Sequence, residues 1–251
     1  MPVLPYFPDD ASAPGMDPYA LQFAFSHPPV LSTQRLILRP IRMRDCHDLF
    51  AYARDPEVSR FVLWDRHESL RYSRQFIRAI RAQYRHGEPS SLAIQLREPA
   101  RVIGTVGFTS CAPEHACAEV GYSLAREYWN QGYATEALDR LIRYAVSELG
   151  FHRIEAMHDV ENPASGHVME HCGFRYEGTL RQRVWNKGQW RDVCLWAILE
   201  TDYRDLMAAE RTPTICTDIF PDQYDWPLTE APAEDLMPAF NLLTASPDAV
   251  A

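Results

Sequence analysis

Apolar and charged positions alternate along Arg35-Leu36-Ile37-Leu38-Arg39, the period of a half-buried strand, and Pro40 limits how far it can run as a central ladder member. A short helix is expected over 45–54, because Asp55 precedes a proline and such a residue disfavours helix. A second helix is expected to start near Asp65, with Glu68 reaching back to complete the cap. Its apolar face runs through Leu70, Phe76, Ile77, Ile80 and Tyr84, and His86-Gly87 ends it. Strands are expected over 92–96, 102–108 and 118–124, parted by proline-containing turns. The period then changes: Leu138, Leu141, Ile142, Ala145, Val146 and Leu149 share one helical face, closed by Gly150. A strand over 154–157 follows, then a helix over 164–171 ended by Gly173. Two last strands, 174–185 and 193–199, are joined by Asn186-Lys187-Gly188. The pattern predicts an α/β fold with a mixed sheet of about seven strands, mostly antiparallel before the long helix, and no internal repeat.

Composition places this pattern in a globular chain. Of 251 residues, 46% are apolar and 24% charged, near the averages for folded domains. Charge is distributed by segment. Residues 207–251 carry eight acids and one base, residues 1–30 carry three acids and no base, and 31–206 is close to neutral. Prolines concentrate in the same flanks, seven in the first thirty residues and six in the last forty-five. The expected organisation is an acidic proline-rich extension (1–30), a globular body (31–206) and an acidic proline-rich strap (207–251). The strap's aromatic and aliphatic residues predict docking on the body or on a second subunit, so a homodimer is one expectation. Without a basic stripe, nucleic acid is not an expected partner. Neither is a membrane, since no run approaches the roughly 18 apolar residues of a span. Six scattered cysteines without a C-x-x-C pair, and no signal-peptide pattern, point to a reducing cytoplasm.

The stretch from Tyr122 to Ala137 carries the chemistry. A strand ends, a short loop containing Gly132 and Ala134 follows, and an amphipathic helix begins at once. Such a turn leaves backbone N–H groups at the positive end of a helix, where small residues let an anion approach. An ordinary strand-to-helix loop would look similar from the glycine alone. Neither the three-glycine nucleotide fingerprint nor the Gly-Lys-Ser/Thr loop is present.

Four segments in order resemble the GNAT superfamily of acyl-CoA-dependent N-acetyltransferases, and within it the Rim-type ribosomal-protein N-terminal acetyltransferases. They are Thr33-Gln-Arg-Leu-Ile-Leu-Arg39, Ala118-Glu-Val-Gly-Tyr-Ser-Leu124, Trp129-Asn-Gln-Gly-Tyr-Ala-Thr-Glu-Ala137, and Glu161-Asn-Pro-Ala-Ser165 leading to Cys172-Gly-Phe-Arg-Tyr-Glu-Gly178. The resemblance covers about 31–206 and implies a sheet splayed centrally to hold acetyl-CoA. It places the CoA pyrophosphate on Asn130, Gln131, Gly132, Tyr133, Ala134 and Thr135. It lays the pantetheine beside Gly121, Tyr122, Ser123 and Leu124, and near Asn162 and Ser165. Where the superfamily's general motif has Gln or Arg this chain has Trp129, which leaves no cation there and hands the pyrophosphate to backbone amides.

A terminal amine of pKa near ~8, or a lysine near ~10, is mostly charged at neutral pH and must lose a proton before attack. The resemblance implies Glu119 as the base that takes it, directly or through water, and Ser165 as the donor to the departing thiolate. A surface glutamate on an alternating strand is the plain alternative for Glu119. For Asn162 and Ser165 the plain alternative is helix capping, compatible with the other role. His167-Val-Met-Glu170-His171 fits a zinc pattern by spacing alone, and no metal is expected. Cys172 reads as a packing residue. Trp185, Trp190 and Trp196 read as sheet packing or as the wall of a substrate groove.

These features predict transfer of an acetyl group from acetyl-CoA to a primary amine by direct attack, with a protein N-terminus as the first choice of acceptor. A small-molecule amine, such as a polyamine or an antibiotic, is the second. A non-catalytic CoA-binding module of the same fold is the reading from another class. The acceptor would be chosen by the loops around 54–71 and 185–190.

Overall fold

Eight strands form one sheet in the computed structural model, which describes residues 15–209. The segment expected to act as a strap lies outside the described residues from 210 onward. The strands are β1 (Leu31–Ser32), β2 (Leu36–Pro40), β3 (Ser91–Leu96), β4 (Val102–Ala112), β5 (Cys117–Leu124), β6 (Arg153–Asp159), β7 (Arg175–Asn186) and β8 (Gln189–Leu199). They lie in the order β1-β2-β3-β4-β5-β6-β8-β7. All neighbours are antiparallel except β5 and β6. The strand beyond the expected seven is β1, two residues too short to leave a periodic trace.

The helices are α1 (Pro18–Ser26), α2 (Cys46–Ala53), α3 (Pro56–Ser59), α4 (Leu70–His86), α5 (Tyr133–Ser147), α6 (Pro163–His171) and α7 (Glu200–Ala209). One face of the sheet is covered by α1, α5, α6 and α7, which bury Phe25, Leu138, Leu141, Ile142, Met169 and Tyr203 against Leu36, Ile94, Val106 and Ile154. The other face packs α2 and α4 through Leu49, Tyr52, Ile77, Ile80 and Tyr84.

Two expectations about element ends are corrected. The long α4 is capped by Ser69, whose side chain accepts from the Tyr72 amide, and not by Asp65. Asp65 stands four residues outside the helix, too far for a side-chain oxygen to meet those amides. Helix α5 ends at Ser147, because the amides of Glu148 and Leu149 both turn onto the Tyr144 carbonyl. Gly150, at φ +81°, takes the turn that follows. The acidic N-terminal flank contains α1, opened by Pro18 and capped by Asp17, which buries Leu21 and Phe25 on the sheet. Proline at the first helical position starts a helix as readily as proline elsewhere breaks one.

Candidate active site

The feature that positions the site is where one ladder stops. β5 and β6 pair in parallel from Cys117↔Arg153 to Val120↔Ala156, and no further. Beyond that point β5 continues as Gly121-Tyr122-Ser123-Leu124, still paired with β4, while β6 continues along β8. The sheet therefore opens at the carboxyl ends of these two strands. The backbone of Gly121–Leu124 lies along that opening on its β6 side, as an unpaired strand edge able to take hydrogen bonds from an extended ligand.

Strand alternation then sorts side chains to the two faces. Ala118, Val120, Tyr122 and Leu124 belong with the α5 cluster. Glu119, Gly121 and Ser123 face the other way: the Ser123 hydroxyl lies 3.0 Å from Thr105 Oγ1 and bonds Tyr52 of α2. Glu119 stands in register with Glu155. Burial lifts the Glu119 carboxyl above the ordinary glutamate value. Hydrogen bonds from Thr109 and Ser110 and the charge of Arg183 oppose the lift, and Glu155 adds to it. A carboxylate so placed binds a proton more readily than an exposed one, as a base at neutral pH needs.

On the opposite face, the Tyr122 hydroxyl lies 2.8 Å from Ser165 Oγ and 2.8 Å from the Ser165 carbonyl. Burial pushes the Tyr122 phenol well up, so it is a neutral O–H donor. The capping role expected for Asn162 or Ser165 does not occur. Asn162 is the N-cap by position but its side chain makes no cap hydrogen bond. The Asn162 carbonyl accepts from the Ser165 amide at 3.1 Å, a tight first turn, and Pro163 brings no amide to cap. Ser165 is already inside the helix, and its hydroxyl points to Tyr122.

The loop over 130–135 turns sharply into α5. Asn130 and Gly132 take left-handed backbone, at φ +57° and +77°, and α5 starts at Tyr133 with no side-chain cap. Its first amides, those of Tyr133, Ala134 and Thr135, thus have no partner within the helix. Trp129 does more than stand in for a missing cation: its indole N–H donates to the Leu124 carbonyl at 2.8 Å, tying the loop to the end of β5. A cation is present, but from 97 residues upstream of Gly132. Arg35 donates to Glu136 (2.6 Å) and to the Gln131 carbonyl (3.0 Å) and lies 4.2 Å over the Tyr133 ring. A Cβ on Gly132 would sit 3.4 Å from its Nη2. Glu136 is held in turn by the Thr33 hydroxyl at 2.6 Å. Nothing local in the sequence marks Arg35 as part of this loop.

Other residues singled out by sequence fall outside this arrangement. Cys172 is buried, its thiol pushed well up by burial and set 3.5 Å from the Thr135 carbonyl. His167 and His171 lie on the outer face of α6, and His171 Nδ1 is 2.6 Å from the His167 carbonyl. Among the described residues no group of three or more His, Cys, Asp or Glu is arranged to hold a metal. Trp185 and Trp190 meet edge to face at 5.3 Å on the hairpin and are exposed, whereas Trp196 packs on the core.

Comparison with known proteins agrees with this geometry. A family profile described as an acetyltransferase (GNAT) domain matches residues 35–175. The chain is 34% identical over 172 residues to an uncharacterized N-acetyltransferase, YoaA, of Bacillus subtilis, covering 68% of this chain and 97% of that one. It is 31% identical over 181 residues to the ribosomal protein uS5-alanine N-acetyltransferase of Escherichia coli, covering 69% and 92%. Among solved structures, Mycobacterium smegmatis RimJ in complex with a CoA disulfide superposes with a TM-score of 0.65 at 26% identity, covering 74% and 97%. With the opened sheet and these matches together, the chain belongs to the GNAT acetyltransferase family.

Proposed function

We propose that the protein transfers an acetyl group from acetyl-CoA to the N-terminal amine of a protein, in one step within a ternary complex. The observation that carries this reading is the end of β5–β6 pairing at Val120↔Ala156, which leaves Glu119 on one face of the opening and the Tyr122–Ser165 hydroxyl pair on the other. The site fits acetyl-CoA on three counts. The loop glycine at φ +77° leaves room beside uncapped amides, Arg35 supplies positive charge next to them, and the free edge of Gly121–Leu124 can pair with the amides of a pantetheine arm.

In this reading Glu119, or a water it holds, takes the proton from the acceptor ammonium, and the free amine attacks the thioester carbonyl. The new C–N bond forms as the C–S bond breaks. The departing thiolate receives a proton from Ser165, whose hydroxyl Tyr122 holds at 2.8 Å, and the serine is reprotonated through water by the second proton that the nitrogen sheds once the C–N bond has formed. No group on the enzyme becomes acylated. A protein N-terminus is the acceptor we favour because the ribosomal protein uS5-alanine acetyltransferases match over 69% of this chain, whereas a spermidine N(1)-acetyltransferase of Vibrio cholerae matches over 41%.

The test is release of free CoA thiol with peptides beginning in Ala, Ser or Met, and with spermidine, each checked for gain of one acetyl group by mass. Faster turnover of a peptide supports the proposal. Faster turnover of spermidine would move the acceptor to small amines, and acetyl-CoA binding without transfer to any amine would leave a binding module.

A further inference from the structure

Of the 25 basic side chains in the sequence, 24 are arginine and a single one, Lys187, is lysine. It stands at the tip of the β7–β8 hairpin, in the left-handed backbone region at φ +49°. Its ammonium donates to the carbonyls of Val62 at 2.6 Å and Trp64 at 3.3 Å, and lies 3.4 Å from Asn186 Oδ1. Asn186 adds a second tie, donating from Nδ2 to the Val62 carbonyl at 3.3 Å. Three oxygens converging on one nitrogen suit an ammonium, which carries three donors on a compact centre. A planar guanidinium holds its donors in a rigid fork and cannot collect the same set. The chain's one lysine therefore occupies a place where an arginine would not serve.

The segment gripped by Lys187 is tied at its other end to the open end of the sheet. Arg60 reaches Glu161 at 3.8 Å, and Glu161 lies in the turn between β6 and α6 that leads to Asn162 and Ser165. From β8, Arg191 binds that same Glu161 at 3.0 Å and the last residue of β6, Asp159, at 2.5 and 2.8 Å. Inward, Trp64 stands edge-on to Phe76 of α4 at 6.3 Å and 5.4 Å from the buried His67. The chain between Arg60 and Trp64 thus spans from the carboxyl end of β6 to the hairpin tip, with Leu63 half exposed on it. Lys187 itself keeps much of its surface in water, so its hold is screened.

We propose that Lys187 is the latch of a movable acceptor wall: it fastens residues 60–64 to the hairpin beside the opened sheet, and the fastened segment positions the amine-bearing acceptor. This rests on the acetyl-transfer reading of the site. Lys187 acts here as a positioning residue, since its contacts are to the wall and not to reacting atoms.

The experiment compares wild type with Lys187→Arg and Lys187→Met on the full chain. Trypsin cleavage after Arg60 and Arg66, followed by mass spectrometry, reads the latch without any acceptor. Both variants are expected to be cut there at least about fivefold faster, because cleavage tracks the open population. Acetyl-CoA affinity should stay within about twofold, while KM for the best acceptor of the CoA-release panel rises about tenfold and kcat changes far less, as loss of a wall that holds the acceptor predicts. Unchanged cleavage would overturn the latch, and faster cleavage with unchanged acceptor KM would overturn the positioning role. Recovery of wild-type behaviour by arginine would overturn the claim that the oxygen set demands lysine. A wild-type protein that binds acetyl-CoA yet acetylates none of the panel counts against the acetyl-transfer reading, and cleavage then decides the latch by itself.

Discussion

The hydroxyls of Tyr122 and Ser165 lie 2.8 Å apart, one on β5 and the other on α6, just past the point where β5 and β6 stop pairing. Each hydroxyl has one proton. When Tyr122 donates to the Ser165 carbonyl, the Ser165 proton is engaged on Tyr122. When Tyr122 donates to Ser165 Oγ, the serine proton is free to point into the opening. The second arrangement is the one that can protonate a thiolate. Both Ser165→Ala and Tyr122→Phe should therefore slow transfer, by about 10²-fold or more if the pair is the general acid. An acyl donor with a more acidic thiol should restore most of the rate in both variants. Equal slowing with either donor would mean the hydroxyls act only in structure. Each variant should lose about 1 kcal/mol of stability for one part-buried hydrogen bond, measured by denaturant unfolding.

For Glu119, activity and stability should move in opposite directions. Its raised pKa means that the base form is lost, as pH falls, at a higher pH than for an ordinary glutamate. Glu119→Gln should lower turnover by about 10²–10⁴-fold at neutral pH, and part of the rate should return as alkaline pH frees the amine. A folded-state pKa above the unfolded one contributes stability below the unfolded value, and that contribution is lost as pH rises through the folded value. The glutamine variant should accordingly melt higher than wild type at pH 7 to 8, with the difference vanishing near pH ~4 where both side chains are neutral. Turnover equal to wild type would send the search for the base to another group.

Gly132→Val should abolish acetyl-CoA binding in a protein that remains folded. Two effects combine there: a β-branched residue is strained at φ +77°, and its side chain would occupy the space between the loop amides and Arg35. Unchanged affinity by calorimetry would show that the loop is not the phosphate site.

Arg35→Met should weaken acetyl-CoA about tenfold, and Arg35→Lys should recover only part of this, because the forked contacts to Glu136 and the Gln131 carbonyl need two faces of a guanidinium. The wild-type affinity should fall with added salt more steeply than that of the methionine variant, since an exposed cation beside a phosphate is screened. Parallel salt dependences would show that Arg35 only shapes the loop.

Phe25→Ala should destabilise the protein by about 3 kcal/mol, within the range for truncating a buried phenylalanine. Phe25 is 7% exposed and packs at 5.5 Å on Phe108, so the helix in the acidic flank is part of the core. A denaturation midpoint that does not move would show α1 to be a loose attachment.

How much of this could be read from sequence depends on how local each cause is. Periodicity placed the two central helices and seven strands because each apolar face repeats within its own segment. It passed over β1, α1 and α7, which are short or sit among prolines and acids. Asp65 made a plausible cap on paper, but Ser69 wins because the cap must stand next to the first turn. Glu119, Ser165 and the 130–135 loop lie within motifs, so the sequence alone offers them as candidates. Arg35 and Lys187 were not, since each acts on a segment about 100 residues or more away that only the fold brings near.

The opening between β5 and β6 also has an electrical consequence. In the proposed reading a base must face the attacking nitrogen while a proton donor faces the departing sulfur. Here Glu119 and the Tyr122–Ser165 pair project from opposite faces of one strand, so the backbone of β5 is an insulating wall between them. If Glu119 takes the amine's proton, that proton can reach the Tyr122–Ser165 side only through the reacting molecules or through solvent. On that reading the seam where β5 and β6 part keeps proton removal and proton delivery on separate faces of the sheet.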